Sequence, residues 1–77
     1  MDEIKLDTIE IDGKEYFLVD TLKDNKNTYN YFANTLDRED IYVLKDKKEI
    51  FDEYYVPLDN ENEVLSSMSM FYDKYAS

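Results

Sequence analysis

Residues 9–16 read Ile-Glu-Ile-Asp-Gly-Lys-Glu-Tyr and contain the only glycine in the 77-residue chain. Asp12 and Gly13 separate two segments in which polar and apolar residues alternate. Glycine provides the positive φ angle that a tight type I′ turn needs, and aspartate tolerates the same conformation. The stretch therefore predicts a β-hairpin with strands at 8–11 and 14–22, followed by more antiparallel sheet.

Three further strands are predicted downstream of this hairpin, each bounded by a cluster of polar turn residues. They span residues 28–34, 41–45 and 50–58. Pro57 has no backbone N–H to donate, so it marks a strand end or an edge position.

The strand at 14–22 has apolar residues on both of its faces. Simple alternation places Tyr16, Leu18 and Leu22 on one face, with Phe17 and Val19 on the other. A strand of this kind is usually central in its sheet or faces a second layer.

The period of the apolar residues changes near the end of the chain. From Val64 onwards apolar residues recur at 64, 65, 68, 71, 72 and 75, among others, which is helical spacing. Asn60 and Glu63 are spaced like an N-cap and its N3 partner, so we expect a helix over 61–75. Because the connections between strands are short, a meander is favoured over crossovers. The fold class is α+β: four or five antiparallel strands and one C-terminal helix on one face, in a single domain over residues 1–77.

Composition excludes several kinds of chemistry. The chain has 19 acidic residues, nine basic residues, no His and no Cys, and its net charge is −10. Ser-His-Asp and Cys-His nucleophile systems are absent, as are thiolate and imidazole zinc ligands. One glycine cannot build a phosphate-binding loop. We therefore expect a protein that is not an enzyme and that carries no cofactor.

Calcium binding is considered because Asp59, Glu61 and Glu63 alternate like the ligands of a calcium loop. The glycine at the sixth position and the closing glutamate of such a loop are missing. A solvated helix start, favoured by the helix dipole, is the better interpretation, and no metal site is predicted.

Localisation and partners are constrained by the N-terminus and the charge. Residues 1–7 are expected to form a flexible lead-in or to join the first strand. They are acidic at the start and lack the basic start and apolar run of a signal peptide. The longest apolar runs, such as residues 16–19, are only four residues long and too short to span a membrane. The absence of Cys fits a reducing compartment, so a cytoplasmic chain is predicted. A charge of −10 is repelled by phosphates and anionic lipids, so direct binding to nucleic acid or membrane is disfavoured.

The acidic residues are unevenly distributed. Between Glu49 and Asp73 the chain has seven acids and no Lys or Arg. One interpretation is a negative surface that docks a basic protein, or that mimics DNA as a phage-type inhibitor of a nucleic-acid-binding defence enzyme. The other is a surface that only confers solubility, as charge runs usually do. The candidate acidic face comprises Glu49, Asp52, Glu53, Asp59, Glu61 and Glu63.

Aromatic residues suggest a second surface, since eight Tyr and four Phe occur in this short chain. One helix covers one face of a sheet, so apolar surface should remain on the other. Tyrosine is favoured at interfaces because its ring is buried while its hydroxyl stays wet. Phe17, Phe32, Tyr42 and Tyr55 are the candidate aromatic interface, for a second copy in a homodimer or for another protein. Scattered exposed tyrosines are the alternative. The leading functional prediction is a protein–protein interaction module.

Three stretches carry a resemblance to a known family: IEIDGKEY at 9–16, IYVLK at 41–45, and YVPL at 55–58 before a short helix. Together they resemble the small acidic YrzB-like proteins of Gram-positive bacteria, a family of unknown function, over residues 8–75. The resemblance implies a cytoplasmic bacterial protein with a small sheet and a helix. It implies no catalytic or binding residue.

Overall fold

The computed structural model describes residues 8–76, and the lead-in expected at 1–7 lies outside this range. Five strands precede one helix. The elements are β1 (Thr8–Ile11), β2 (Lys14–Lys23), β3 (Thr28–Asn34), β4 (Ile41–Lys48), β5 (Glu53–Pro57) and α1 (Glu61–Tyr75).

The strands form one antiparallel sheet in the order β1-β2-β3-β4-β5, so each strand pairs with its neighbours in sequence. The sheet curls into a half-barrel, and α1 packs on one of its faces. This confirms the predicted α+β meander. In the central strand β3, the six consecutive residues from Tyr29 to Asn34 are buried, because neighbouring side chains cover both faces.

The first hairpin has the predicted turn. Asp12 and Gly13 have φ angles of 51° and 78°, and Ile11 pairs with Lys14 on either side of them. These are the two positive φ angles a type I′ turn requires. A Cβ placed on Gly13 would meet no atom within 4 Å, so the glycine is needed for its conformation and not for space.

A β-bulge in β2 changes which face its residues occupy. The pairing with β3 shifts between Leu18 and Asp20, leaving Val19 as the extra residue. Tyr16 and Leu18 lie on the face away from α1, whereas Leu22 lies opposite Tyr29 and packs in the helix-side core. The predicted grouping of Leu22 with Tyr16 and Leu18 is therefore wrong. One inserted residue reverses the alternation of the rest of the strand.

The β4–β5 connection also differs from the prediction. β4 runs three residues further than expected, and β5 starts three residues later. Glu49 and Asp52 exchange backbone hydrogen bonds, with N···O distances of 2.7 and 3.3 Å, which leaves Ile50 and Phe51 as a two-residue turn. Their apolar character made this turn look like part of a strand.

Pro57 occupies an edge position, as predicted. It lies opposite Leu44 on the outer strand β5. Glu49 and Asp52 are a hydrogen-bonded pair, and the two kinds of pair alternate along an antiparallel ladder. Leu44 and Pro57 are five pairs further along, so they form a non-hydrogen-bonded pair. The nitrogen of Pro57 therefore faces the open edge, where a missing N–H removes no bond of the ladder.

Helix α1 has the predicted bounds and cap. The side chain of Asn60 accepts a hydrogen bond of 2.9 Å from the backbone N–H of Glu63. Glu63 Oε1 in turn accepts a bond of 2.7 Å from the N–H of Asp59, one residue before the usual capping-box donor. The start of the helix is thus fixed by two reciprocal bonds.

The helix-side core is built around Tyr29, Tyr31 and Val43. The ring of Tyr31 stacks on Phe71 of α1 with a centroid distance of 4.8 Å. Its hydroxyl donates a bond of 2.6 Å to the carbonyl oxygen of Ser67. Burial raises the pKa of Tyr31 to about 12. A single fully buried side chain thus joins the middle of the sheet to the middle of the helix.

Candidate interaction surface

Three of the four candidate aromatic residues lie together on the face that α1 leaves open. Phe32 and Tyr42 are opposite each other on β3 and β4, and Tyr55 meets the Phe32 ring edge-on at a centroid distance of 5.4 Å. Phe32 is 1% exposed, whereas Tyr42 and Tyr55 are 38% and 45% exposed. The buried ring of Phe32 therefore contacts the half-exposed ring of Tyr55 and lies across the strands from the half-exposed Tyr42. We call Phe32, Tyr42 and Tyr55 the tyrosine face.

Phe17 does not belong to this group, which corrects the prediction. It lies opposite Ala33, on the same side of the sheet as Tyr31, and it lines a cavity beside α1. The reason is the alternation of β2: Phe17 follows Tyr16, so the two side chains point to opposite faces.

A carboxylate borders one end of the tyrosine face. Asp40 Oδ2 accepts hydrogen bonds of 2.7 Å from the Tyr16 hydroxyl and 3.2 Å from the Asn34 side-chain amide. These bonds lower the pKa of Asp40, the Tyr16 bond most strongly. The same bond raises the pKa of Tyr16 to about 12. Both donors are neutral, and the charge of Lys14 is the smallest of the causes that lower this pKa, so Asp40 is held in place without an ion pair to any described residue.

A second carboxylate borders the other end. The side-chain amide of Asn30 donates a bond of 2.6 Å to Asp46, and its oxygen accepts one of 3.0 Å from the Thr21 hydroxyl. Asp46 lies directly opposite Tyr55 in the sheet. Within residues 8–76, neither Asp40 nor Asp46 forms an ion pair. We call these two residues the flanking carboxylates.

Sequence reasoning missed the flanking carboxylates, although a signal was present. Asn30 and Asn34 alternate with Tyr and Phe in the central strand, and both are buried. A buried amide must find hydrogen-bond partners. Asparagine on the open face of a buried strand was therefore a pointer to polar partners on the neighbouring strands and loop.

Three of the candidate acidic residues surround the β4–β5 turn. Glu49, Asp52 and Glu53 are all exposed, and Glu49 accepts a bond of 2.7 Å from the Tyr54 hydroxyl. The two residues at the tip of the turn, Ile50 and Phe51, are 91% and 94% exposed. The hairpin tip is therefore an apolar pair with acidic neighbours.

The other three candidate acids lie at the start of α1, beyond the far end of β5. Lys45 Nζ lies 3.0 Å from Asp59 Oδ2 and 3.1 Å from Glu63 Oε1, and the Lys45 and Glu63 side chains are mostly buried. The Asp59 N–H is the largest cause of the lowered pKa of Glu63, and the Asp59 side chain is the largest cause of the raised pKa of Lys45. Glu61 remains exposed. Two of these three acids thus anchor the helix to β4, and the six candidates form two separated groups.

The part of the chain that the structure describes contains no cluster of three or more side chains placed to hold a metal ion. Asp59, Glu61 and Glu63 are accordingly not gathered around a common centre. The described helix is also too short and too polar to cross a membrane.

Two surfaces with distinct geometry result: the tyrosine face with its flanking carboxylates, and the acidic hairpin with its apolar tip. Both are built from side chains that the meander brings together from different strands and turns. Comparison of the chain with models of protein families, with curated proteins and with solved structures finds no match in any of the three.

Proposed function

We propose that this chain is a cytoplasmic, non-enzymatic protein–protein interaction module that binds its partner through the tyrosine face. The observation that carries the proposal is the pair of half-exposed rings of Tyr42 and Tyr55, which pack on the buried rings of Tyr16 and Phe32 respectively. Tyrosine is enriched at protein interfaces because it buries a large ring while its hydroxyl remains hydrated.

Rigidity of the tyrosine face supports binding. Tyr42 packs edge-on against Tyr16 at a centroid distance of 6.0 Å, and Tyr55 packs edge-on against Phe32. Both rings project from paired strands of the sheet rather than from a loop. Side chains that are ordered before binding lose less conformational entropy when a partner covers them.

Charge indicates what the partner should contain. The flanking carboxylates are held by Tyr16, Asn34 and Asn30, which are uncharged donors. Asn30 and Asn34 are four residues apart on β3, which corresponds to about 13 Å along the strand. A partner that matches this face would place an apolar patch on the rings and Lys or Arg near each end.

The alternative, a DNA mimic that inhibits a nucleic-acid-binding enzyme, has less support. A mimic needs its carboxylates free and spaced along one surface. Asp59 and Glu63 are instead bound to Lys45, and the hairpin acids lie at the other end of β5. We therefore keep the interaction module as the proposal.

Site-specific photo-crosslinking in cells tests the proposal. A photoreactive phenylalanine analogue replaces Tyr42 in one variant and Tyr55 in another. We expect both variants to give the same covalent adduct. Asp46→Asn, introduced into the Tyr42 variant, should weaken that adduct, because it removes one flanking charge and keeps the side-chain shape.

The control places the same analogue at Leu65, which is 68% exposed on α1. This variant should give no such adduct. An adduct of twice the chain mass identifies a second copy as the partner, and any other single mass identifies a different protein. Absence of adducts from both tyrosine positions, or the same adducts from position 65, would contradict the proposal.

A further inference from the structure

The tip of the β4–β5 hairpin is chemically unusual. Two-residue hairpin turns favour Asn, Asp and Gly, which adopt positive φ angles. Asp12 and Gly13 follow this rule, whereas Ile50 and Phe51 do not, and neither has a positive φ angle. Both side chains are more than nine-tenths exposed. The fold of a single molecule thus gains neither turn geometry nor burial from these two residues.

An apolar cavity lies at the opposite end of β4. It has a volume of about 750 Å³, and Arg38 lies on its wall beside Glu39. The apolar part of its lining comprises Phe17, Val19, Ala33, Ile41, Phe71 and Tyr72. Arg38 forms no ion pair with any residue in the described range. The cavity therefore combines an apolar wall with a guanidinium group that forms no ion pair within residues 8–76, next to one carboxylate, Glu39.

The hairpin tip and the cavity are complementary in polarity, and Arg38 offers a partner for a carboxylate beside the tip. Ile50 and Phe51 would fill an apolar cavity, and Glu49, Asp52 and Glu53 would bring carboxylates to Arg38. Guanidinium–carboxylate pairs form strong, directional hydrogen bonds. Tip and cavity belong to opposite ends of one strand, so the tip cannot reach the cavity of its own molecule. Nine residues separate Ile41 from Ile50, or about 30 Å at the rise of a β-strand.

We propose that the Ile50–Phe51 tip of one molecule inserts into the cavity beside Arg38 of a second copy, in a head-to-tail contact. This contact is separate from the tyrosine face. It is heterologous, so each molecule in a row keeps one free tip and one free cavity. The charge of −10 on each molecule opposes long assemblies. At physiological ionic strength the screening length is about 8 Å, so the contact at Arg38 acts while more distant repulsion is reduced.

Sedimentation velocity across a concentration series, at physiological salt, tests this contact. The wild-type chain should show a mean mass that rises above the monomer with concentration. A tip variant, Ile50→Ser with Phe51→Ser, and a cavity variant, Arg38→Glu, should each weaken association. We expect the tip variant to lower the association constant by about thirtyfold, the usual effect of losing a hot-spot side chain.

Mixing the two variants gives the decisive result. The intact tip of the cavity variant can still enter the intact cavity of the tip variant, so an equimolar mixture should form a 1:1 dimer and nothing larger. Leu65→Ser is the control and should associate like the wild type. A wild type that stays monomeric at every concentration would overturn the proposal. So would a mixture that fails to restore the dimer, or an equal loss of association in the control.

Discussion

The most informative single substitution is Tyr31→Phe. It removes the hydroxyl that donates a 2.6 Å bond to the carbonyl of Ser67, and it keeps the ring that stacks on Phe71. Tyr31 and Ser67 are both fully buried, so water cannot replace the lost donor. The Ser67 carbonyl lies within α1, where the backbone N–H four residues later remains available to it. The substitution therefore removes only one of two hydrogen-bond donors from this oxygen.

From these contacts we expect a loss of about 1–2 kcal/mol in the free energy of unfolding, since a buried acceptor loses its donor without a cavity being formed. A chain of this size should have a urea m-value of about 1 kcal/mol/M, so the midpoint should fall by about 1–2 M. Urea denaturation followed by circular dichroism measures this shift. The control is Tyr42→Phe. Tyr42 is 38% exposed and its hydroxyl makes no hydrogen bond within residues 8–76, so this change should alter the stability by less than about 0.5 kcal/mol.

Equal midpoints for the two variants would refute this reasoning. They would mean that the bond between Tyr31 and Ser67 does not contribute to holding α1 on the sheet. The comparison requires unchanged m-values, because a change in m indicates an altered denatured or native state and not a simple loss of stability.

Three other predictions concern the ion pair, the first turn and the buried tyrosines. Lys45→Met should lower the free energy of unfolding by about 2 kcal/mol, because the mostly buried Glu63 loses its cation. This cost lies between that of breaking an exposed ion pair and that of breaking a fully buried one. Gly13→Ala should cost about 1–2 kcal/mol through its φ of 78° alone, measured by thermal unfolding. The pKa values of Tyr16 and Tyr31 are about 12 in the folded chain, against an ordinary value of 10. The free energy of unfolding should therefore fall as the pH rises from about 10 to 12, and a phenolate absorbance titration should show the two hydroxyls ionising late.

Each of these predictions has a matched control or a contradicting result. Lys47→Met removes an exposed lysine that forms no ion pair in the described residues, and it should be nearly neutral. Gly13→Asn should cost less than Gly13→Ala, since asparagine adopts positive φ more readily. The folded state keeps the phenolic protons of Tyr16 and Tyr31 to higher pH than the unfolded chain does, so their contribution to stability is fully present below the unfolded pKa of about 10. A midpoint in urea that is the same at pH 8 and pH 11 would contradict it.

The first hairpin and the helix could be predicted from sequence because their signals are local. Asp12 and Gly13 define a turn by backbone conformation alone, and Asn60 with Glu63 defines a helix start within one turn. The errors came from residues whose role depends on distant partners or on an unusual choice. The bulge at Val19 moves the Leu22 side chain to the opposite face of the sheet, and the apolar pair at 50 and 51 resembles part of a strand.

The candidate surfaces were less accessible to sequence reasoning. Placing Tyr42 beside Phe32 requires the register of β3 with β4, and placing Phe17 away from them requires the register of β2 with β3. The acidic run looked continuous because its neutralising residue, Lys45, is 14 residues before Asp59 in sequence. The resemblance to YrzB-like proteins stays a prediction.

The order of the strands has a consequence for how the molecule folds. Every pairing in the sheet joins strands that are consecutive in sequence, and even the longest of the loops that connect them is short. Proteins dominated by such local contacts fold faster than those with long-range pairing, because little loop-closure entropy is lost before contacts form. Each hairpin therefore closes only a short loop, although a lone hairpin is marginal in water and gains stability when the next strand joins it. Helix α1 follows the five strands in sequence and closes the core by stacking Phe71 on the Tyr31 ring.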